Sequence, residues 1–241
     1  MREVCGAVSG MCMVAGAVFG YSRPEQIEEK AMLYALERHL AQRFREENGT
    51  ILCRELLGLQ QAEASPVPQK RDESYYAARP CGELCAHAAA ILEEELAFRR
   101  AYPAQWQQGE EQTPLSYPVR QSVFLEEQGF ATEFDDIHAT AWHLWLLHEG
   151  KPVAAARLYF EGEDCRLGRI CVLPAYRGKK LGARLMEQLL WKAEILGAKR
   201  LVLGAQEDKQ DFYRGFGFTP CGPRYMDEFC PHIPMERQLE E

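Results

Sequence analysis

The sequence predicts an α+β domain preceded by a small all-α unit that carries cysteines. Three observations point there. Residues 1 to about 100 show no strand-like alternation. From Ala141 onward, short apolar runs are punctuated by glycine turns, as strands are. Between them, Arg169–Met186 reads as a strand, a tight turn rich in glycine and cations, and an amphipathic helix. A chain of 241 residues allows one large or two small domains, and the composition shift near residue 100 favours two. They are residues 1–100 and 116–241, joined by a linker over 101–115 with Pro103, a glutamine run and Pro114.

In the first unit, Val4–Tyr21 carries no charged residue, and its length approaches that of a membrane span. Gly6, Ser9, Gly10, Gly16 and Gly20 thin its apolar content, and Glu3 and Gly10 interrupt any export signal. A packed glycine-rich helix accounts for it better. Ile27, Ala31, Tyr34, Leu40 and Phe44 form a helical stripe over Glu25–Glu47, opened by Pro24 and ended near Asn48-Gly49. A shorter helix, Ile51–Leu57, stops at Gly58, and after the polar stretch Gln60–Arg79 a third runs over Gly82–Arg100. Cys5, Cys12, Cys53, Cys81 and Cys85 lie in this unit. Clustered thiols can form a disulfide, bind a metal, act as nucleophiles, or simply fill a core. Cys81 and Cys85, one helical turn apart, can share a ligand. Nine cysteines without an export signal suit a reducing cytoplasm. A net charge of -8 argues against nonspecific nucleic-acid binding, and no membrane partner is expected.

In the second unit, Ala141–Leu147 and Val153–Tyr159 read as a hairpin turning at Gly150, with Trp142, Trp145 and Phe160 as core or sheet-face residues. Ile170-Cys171-Val172 is the strand before the cation-rich turn Arg177–Gly182. The helix beyond carries Leu185, Leu189 and Leu190 and ends at Gly197. Lys192 and Lys199 read as surface charges. Arg200–Ala205 is a buried strand, and Asp211–Phe218 a helix end turning into another. A turn feeding a helix N-terminus presents free N–H groups and the positive end of the helix dipole, so it can hold a phosphate. No Gly-Lys-Ser/Thr follows, and the cations stand where a dinucleotide fingerprint needs glycines.

Arg177-Gly-Lys-Lys-Leu-Gly182, followed by Phe212-Tyr213-Arg-Gly-Phe-Gly217-Phe218, resembles the acetyl-CoA loop and the Phe-Tyr-x-x-x-Gly-Phe signature of the GNAT superfamily of N-acetyltransferases. Val119-Arg-Gln-Ser-Val-Phe124-Leu-Glu-Glu127-Gln128, Leu203-Gly-Ala205-Gln206 and Pro231-His232-Ile-Pro-Met235 narrow the resemblance to its ElaA/YjcF-like branch, over roughly 116–238. It implies a mixed, mostly antiparallel sheet, splayed and flanked by helices. The bulged strand Ile170-Cys171-Val172 would pair with the pantetheine arm of acetyl-CoA. Backbone amides of Arg177, Gly178, Lys179, Lys180, Leu181, Gly182 and Ala183 would seat the pyrophosphate, with Gln206 and Phe212 completing the cofactor site. Tyr213 would be the general acid at the thioester sulfur. Lys180 departs from the family's glycine: it crowds the phosphate if the backbone there needs positive φ, and adds a cation if it does not. Glu127 is the preferred general base, ahead of Glu126, Glu133, Asp135, Asp136, His143 and His232. The run Glu133–Asp136 reads more readily as a solvated loop, and a carboxylate-lined pocket would suit a cationic amine. The acceptor is a small-molecule or peptide amine, and a homodimer is allowed. Two rivals are a non-catalytic acyl-CoA sensor and a thiol protein to which this domain is accessory. Such domains start with a strand and a full first helix, for which little room is left before Val119, so the first strand is either absent or replaced by the linker.

Val4-Cys5-Gly6-Ala7, Gly49-Thr-Ile-Leu-Cys53 and Cys81 before Ala88–Leu92 resemble the redox-active C_GCAxxG_C_C proteins. The chain matches three of their four characteristic cysteines, Cys5, Cys53 and Cys81, which become its redox or metal candidates. The fourth belongs to a helix that would precede Met1, so the domain is expected to be clipped at its start.

Overall fold

The computed structural model describes residues 3–59, 67, 70–109, 115–133 and 135–239, and the chain divides into two compact units, Met1–Phe98 and Arg99–Glu241. The first holds α1 (Gly6–Phe19), α2 (Ile27–Asn48), α3 (Cys53–Leu56), α4 (Glu73–Ala77) and most of α5 (Cys81–Ala101). Val8, Met11 and Ala15 recur on one face of α1 and pack with Leu33, Leu36, Leu40 and Phe44 of α2 and Leu84, Ala88, Ile91 and Leu92 of α5. Ile27 and Tyr34, expected in the α2 stripe, are exposed instead. Two apolar rows run side by side there, and the core takes the one through Leu33 and Leu36. Gly49, at φ 85°, closes α2. At 14 residues, α1 falls short of a hydrocarbon core of about 30 Å. No helix among the described residues is long and apolar enough to cross a membrane.

The second unit is built on an eight-stranded sheet ordered β1-β2-β3-β4-β5-β8-β6, with β7 paired to β8. Its strands are β1 (Ala104–Gln108), β2 (Trp142–His148), β3 (Lys151–Glu161), β4 (Asp164–Val172), β5 (Arg200–Gln206), β6 (Thr219–Pro220), β7 (Tyr225–Asp227) and β8 (Cys230–Gln238). Of the two alternatives for the start of this unit, the structure has the one in which the linker stretch takes the first strand's place. The stretch taken as linker supplies β1, which pairs antiparallel with β2. A first helix is present too: α6 (Ser116–Arg120) runs on as a π-helix over Gln121–Glu127. Gln105 and Gln107 gave no apolar alternation to read, because an edge strand need bury only one face.

The β2–β3 hairpin turns at Glu149 and Gly150, both at positive φ, as a tight two-residue turn requires. After β4 comes α7 (Leu181–Ile195), which buries Leu181, Leu185 and Leu189 and ends before Gly197 at φ 77°. Lys192 is not a surface charge. It is buried, with its ammonium 3.8 Å from the Trp142 ring centroid and about 6 Å from those of Trp106 and Trp191. Phe160, read as a core or sheet-face residue, is exposed near the end of β3.

Candidate active site

The sheet opens at one place. β4 and β5 run parallel and pair only over Asp164–Arg166 and Arg200–Val202. Beyond Arg166 and Val202 the two strands part, so the rest of β4 has β3 on one side and no ladder partner on the other. A bulge causes this. Between Gly168 and Cys171 β4 takes three steps while β3 takes two, from Arg157 to Ala155. The extra residue is Arg169, at φ 54°, a conformation that a side chain disfavours.

The turn follows directly on this unpaired end of β4. Gly178 (φ 77°) and Lys180 (φ 62°) are both left-handed, and Lys180 is the N-cap of α7. The backbone at Lys180 therefore needs positive φ, the alternative in which its side chain is a burden. α8 (Gln210–Arg214) brings Phe212 against the start of α7: a Cβ built on Gly182 would lie 3.4 Å from the Phe212 ring. Gln206, at the end of β5, donates to Gln128 at 2.9 Å. The Tyr213 ring is partly accessible, yet burial around its hydroxyl, and then the Cys171 thiol nearby, push its pKa up to about 12. Tyr213 thus keeps its proton at neutral pH. Cys171 packs with Val119, Val123 and Ala155, and burial raises its thiol well above its usual value.

Glu127 fares differently. Arg177 grips it with two hydrogen bonds, 2.7 and 2.5 Å, which hold its carboxyl below the ordinary carboxylate range. The Arg177 Nε donates to the Val172 carbonyl at 3.0 Å. A carboxylate so paired is a weak base, and Arg177 brings little free charge to a phosphate.

Glu133 and Asp135 are not a solvated loop. Glu133 is buried between Arg120 (2.6 Å) and Arg169 (2.9 Å), and Asp135 takes a two-pronged contact from Arg157 at 2.6 and 2.9 Å. Burial raises the Glu133 pKa; at Asp135 burial acts upward too, but the Arg157 hydrogen bonds and charge bring it down. His143 is fully buried, stacked 5.6 Å from His138, and burial lowers its pKa to about 4. That removes it as a base reaching an acceptor. His232 stacks on Tyr225 and its Nδ1 meets the Cys230 carbonyl at 3.0 Å. Sequence reasoning missed Arg120, Arg157 and Arg169 because a lone arginine carries no pattern until the carboxylates it faces are in place.

A family model described as "Acetyltransferase (GNAT) domain" matches residues 116–239. The chain belongs to the GNAT acetyltransferase family. The GNAT cosubstrate is acetyl-CoA, and the unpartnered length of β4, the glycine-bearing turn and Tyr213 suit it. Protein ElaA of Escherichia coli is 33% identical over half of this chain and 84% of its own length. UPF0039 protein C11D3.02c of Schizosaccharomyces pombe is 39% identical over 51% of this chain and 85% of its own. The crystal structure of Escherichia coli ElaA superposes with a TM-score of 0.53 at 29% identity, covering 57% of this chain and 99% of that one. An acyl-CoA N-acyltransferase from Pseudomonas aeruginosa gives 0.53 at 27%, covering 56% and 99%.

A second family model, "Putative redox-active protein (C_GCAxxG_C_C)", matches residues 1–95 outside the GNAT domain. There, Val4 and Leu52 form an antiparallel bridge, with Cys5 N–H bonded to the Ile51 carbonyl and Cys53 N–H to that of Glu3. Two of the three candidate cysteines thus flank one bridge. Cys5 is buried, Cys53 half-buried, and Cys81 and Cys85 are exposed one turn apart at the start of α5. Among the described residues no three His, Cys, Asp or Glu side chains group as a metal would need, so Cys5, Cys53 and Cys81 do not form such a set.

Proposed function

We propose that the GNAT domain transfers the acetyl group of acetyl-CoA to a primary amine by direct attack. The observation that carries this reading is the unpartnered stretch of β4 beyond Arg166, flanked by the α7 turn and by Tyr213. The pantetheine arm would add to that edge as a strand adds to a sheet, and the pyrophosphate would rest on N–H groups at the start of α7. The amine nitrogen attacks the thioester carbonyl, a C–N bond forms, and the C–S bond breaks. Tyr213 gives its proton to the departing sulfur, and the proton lost by nitrogen passes to solvent. A phenol held near 12 keeps a proton at neutral pH but is a weaker acid than a thiol of about 8.5, so Tyr213 acts by hydrogen-bonding the sulfur as charge develops on it, and solvent returns any proton it gives up. Glu127 is not offered as the base: its pairing with Arg177 supports a role in fixing the turn.

The acceptor is a small molecule or the amine of a peptide, and the setting a reducing cytoplasm. The exposed Cys81–Cys85 pair favours thiol chemistry in the first unit as an added activity. The test is release of CoA on a panel of amines by the full chain and by Tyr213→Phe. Turnover that falls at least a hundredfold in the variant, with acetyl-CoA affinity kept, supports the reading. Tight acetyl-CoA binding without turnover on any amine would replace it with the sensor.

A further inference from the structure

The two faces of the sheet carry different elements beside the parted ends of β4 and β5. Lys192 puts α7 on the face of Trp142 and its cross-strand partner Leu158. Ala155 and Arg157 alternate with Leu158 and point the other way. On that second face Val119 of α6 and Val123 of its π-helical extension pack with Ala155 and Cys171. A cofactor whose diphosphate rests on the α7 turn leaves the π-helix side to the acceptor.

That side is aromatic. Phe124 packs against the cluster that holds Cys171, whose thiol lies near the Tyr213 hydroxyl. Phe130 meets Phe124 edge-on, 6.4 Å between ring centroids, and Phe229 tilts onto Phe130 at 5.0 Å. The row thus starts beside the reaction position and ends in the β7–β8 turn. Two polar ties hold it. Gln128, closing the π-helix, accepts from Gln206, the last residue of β5, at 2.9 Å. Glu228, at φ 51° in the β7–β8 turn, accepts from the N–H groups of Ala131 at 2.9 and 3.1 Å and of Thr132 at 3.3 Å. Phe130 is half-buried, yet Phe229 stays 56% exposed. A ring fixed in place and still open to water offers a ligand surface continuous with the site. The carboxylates nearby are committed: Glu127 to Arg177, Glu133 and Asp135 to arginines, and Glu228 to the two backbone N–H groups.

We propose that Phe130 and Phe229 receive an aromatic ring of the acceptor, so that the substrate is a small arylalkyl amine and not a polycation. A flat ring can stack on a tilted pair, and its burial takes apolar surface of both partners out of water. This rests on the transferase reading, and it replaces the carboxylate-lined pocket suggested by the acidic run.

Two measurements on the full chain separate the two ideas. In the first, protein saturated with CoA, which has no acetyl group to give, is titrated calorimetrically with 2-phenylethylamine, ethylamine and spermidine. The aromatic amine should bind at least tenfold more tightly than either of the others. Phe229→Ala should erase that margin, and Phe229→Leu, which keeps bulk without a ring, should fall between. In the second, CoA release from acetyl-CoA is followed with the same three amines. 2-Phenylethylamine should lead tenfold in kcat/KM, and Phe229→Ala should remove the lead through KM more than through kcat. Equal binding of ethylamine, tighter binding of spermidine, or an aromatic preference that survives Phe229→Ala overturns the aromatic site. Phe229-dependent binding of 2-phenylethylamine without turnover on any amine keeps the site and removes the transferase reading.

Discussion

At the scale of single residues, the site is governed by which charges are already spent. Glu127 answers Arg177 and so ionises too readily to serve as a base near neutrality. Glu127→Gln should therefore leave the acid limb of the kcat pH profile in place while raising the KM for acetyl-CoA, as the turn loses its brace; a limb that vanishes would restore Glu127 as the base. The Phe212-Tyr213 motif could be picked out of the sequence because it is local and its spacing fixed; the structure puts it on α8, with Phe212 against Gly182. Glu133 and Asp135 were not, since a run of acids looks the same solvated or buried until Arg120, Arg157 and Arg169 arrive from three other elements. Lys192 misled for a like reason: only the folded sheet puts Trp142 under its ammonium.

At the scale of elements, the α7 turn holds two left-handed residues, and only one of them is a glycine. Gly178→Ala should cost roughly 1–2 kcal/mol in urea unfolding, since alanine cannot take φ 77° freely. Lys180→Gly should cost nothing or add a few tenths of a kcal/mol, where the same change inside a helix would lose about 1 kcal/mol. A clear loss of stability in that variant would show that the Lys180 side chain, not its backbone, matters to the turn. Most elements could be read from periodicity and glycine stops, as α7 and the β2–β3 hairpin show. Strand β1 could not: Ala104–Gln108 has too little apolar character to announce itself and is a strand because β2 offers an edge.

At the scale of the whole molecule, pH and thiol chemistry report on the two cores. Unfolded, His143 binds a proton near 6.5; folded, it does so only near 4. The unfolded state thus holds more protons between those values, and stability present above pH 6.5 is lost as pH falls toward 4. The contribution is about 3 kcal/mol at full development. Urea midpoints should drop over that window, and more shallowly in His143→Gln. Asp135, held low, adds to the loss as acid rises, while Glu133, held high by burial, works against it. Thiol labelling of the native chain should modify Cys81, Cys85 and Cys221 quickly and Cys5, Cys165 and Cys171 last, as tryptic mass spectrometry would resolve. The bulge at Arg169 has a wider meaning. Because Ala155 and Arg157 share a face, excising that one residue would leave every flanking side chain on its present side and let β4 run straight beside β3. A single codon then separates a strand in step with its neighbour from one that turns aside.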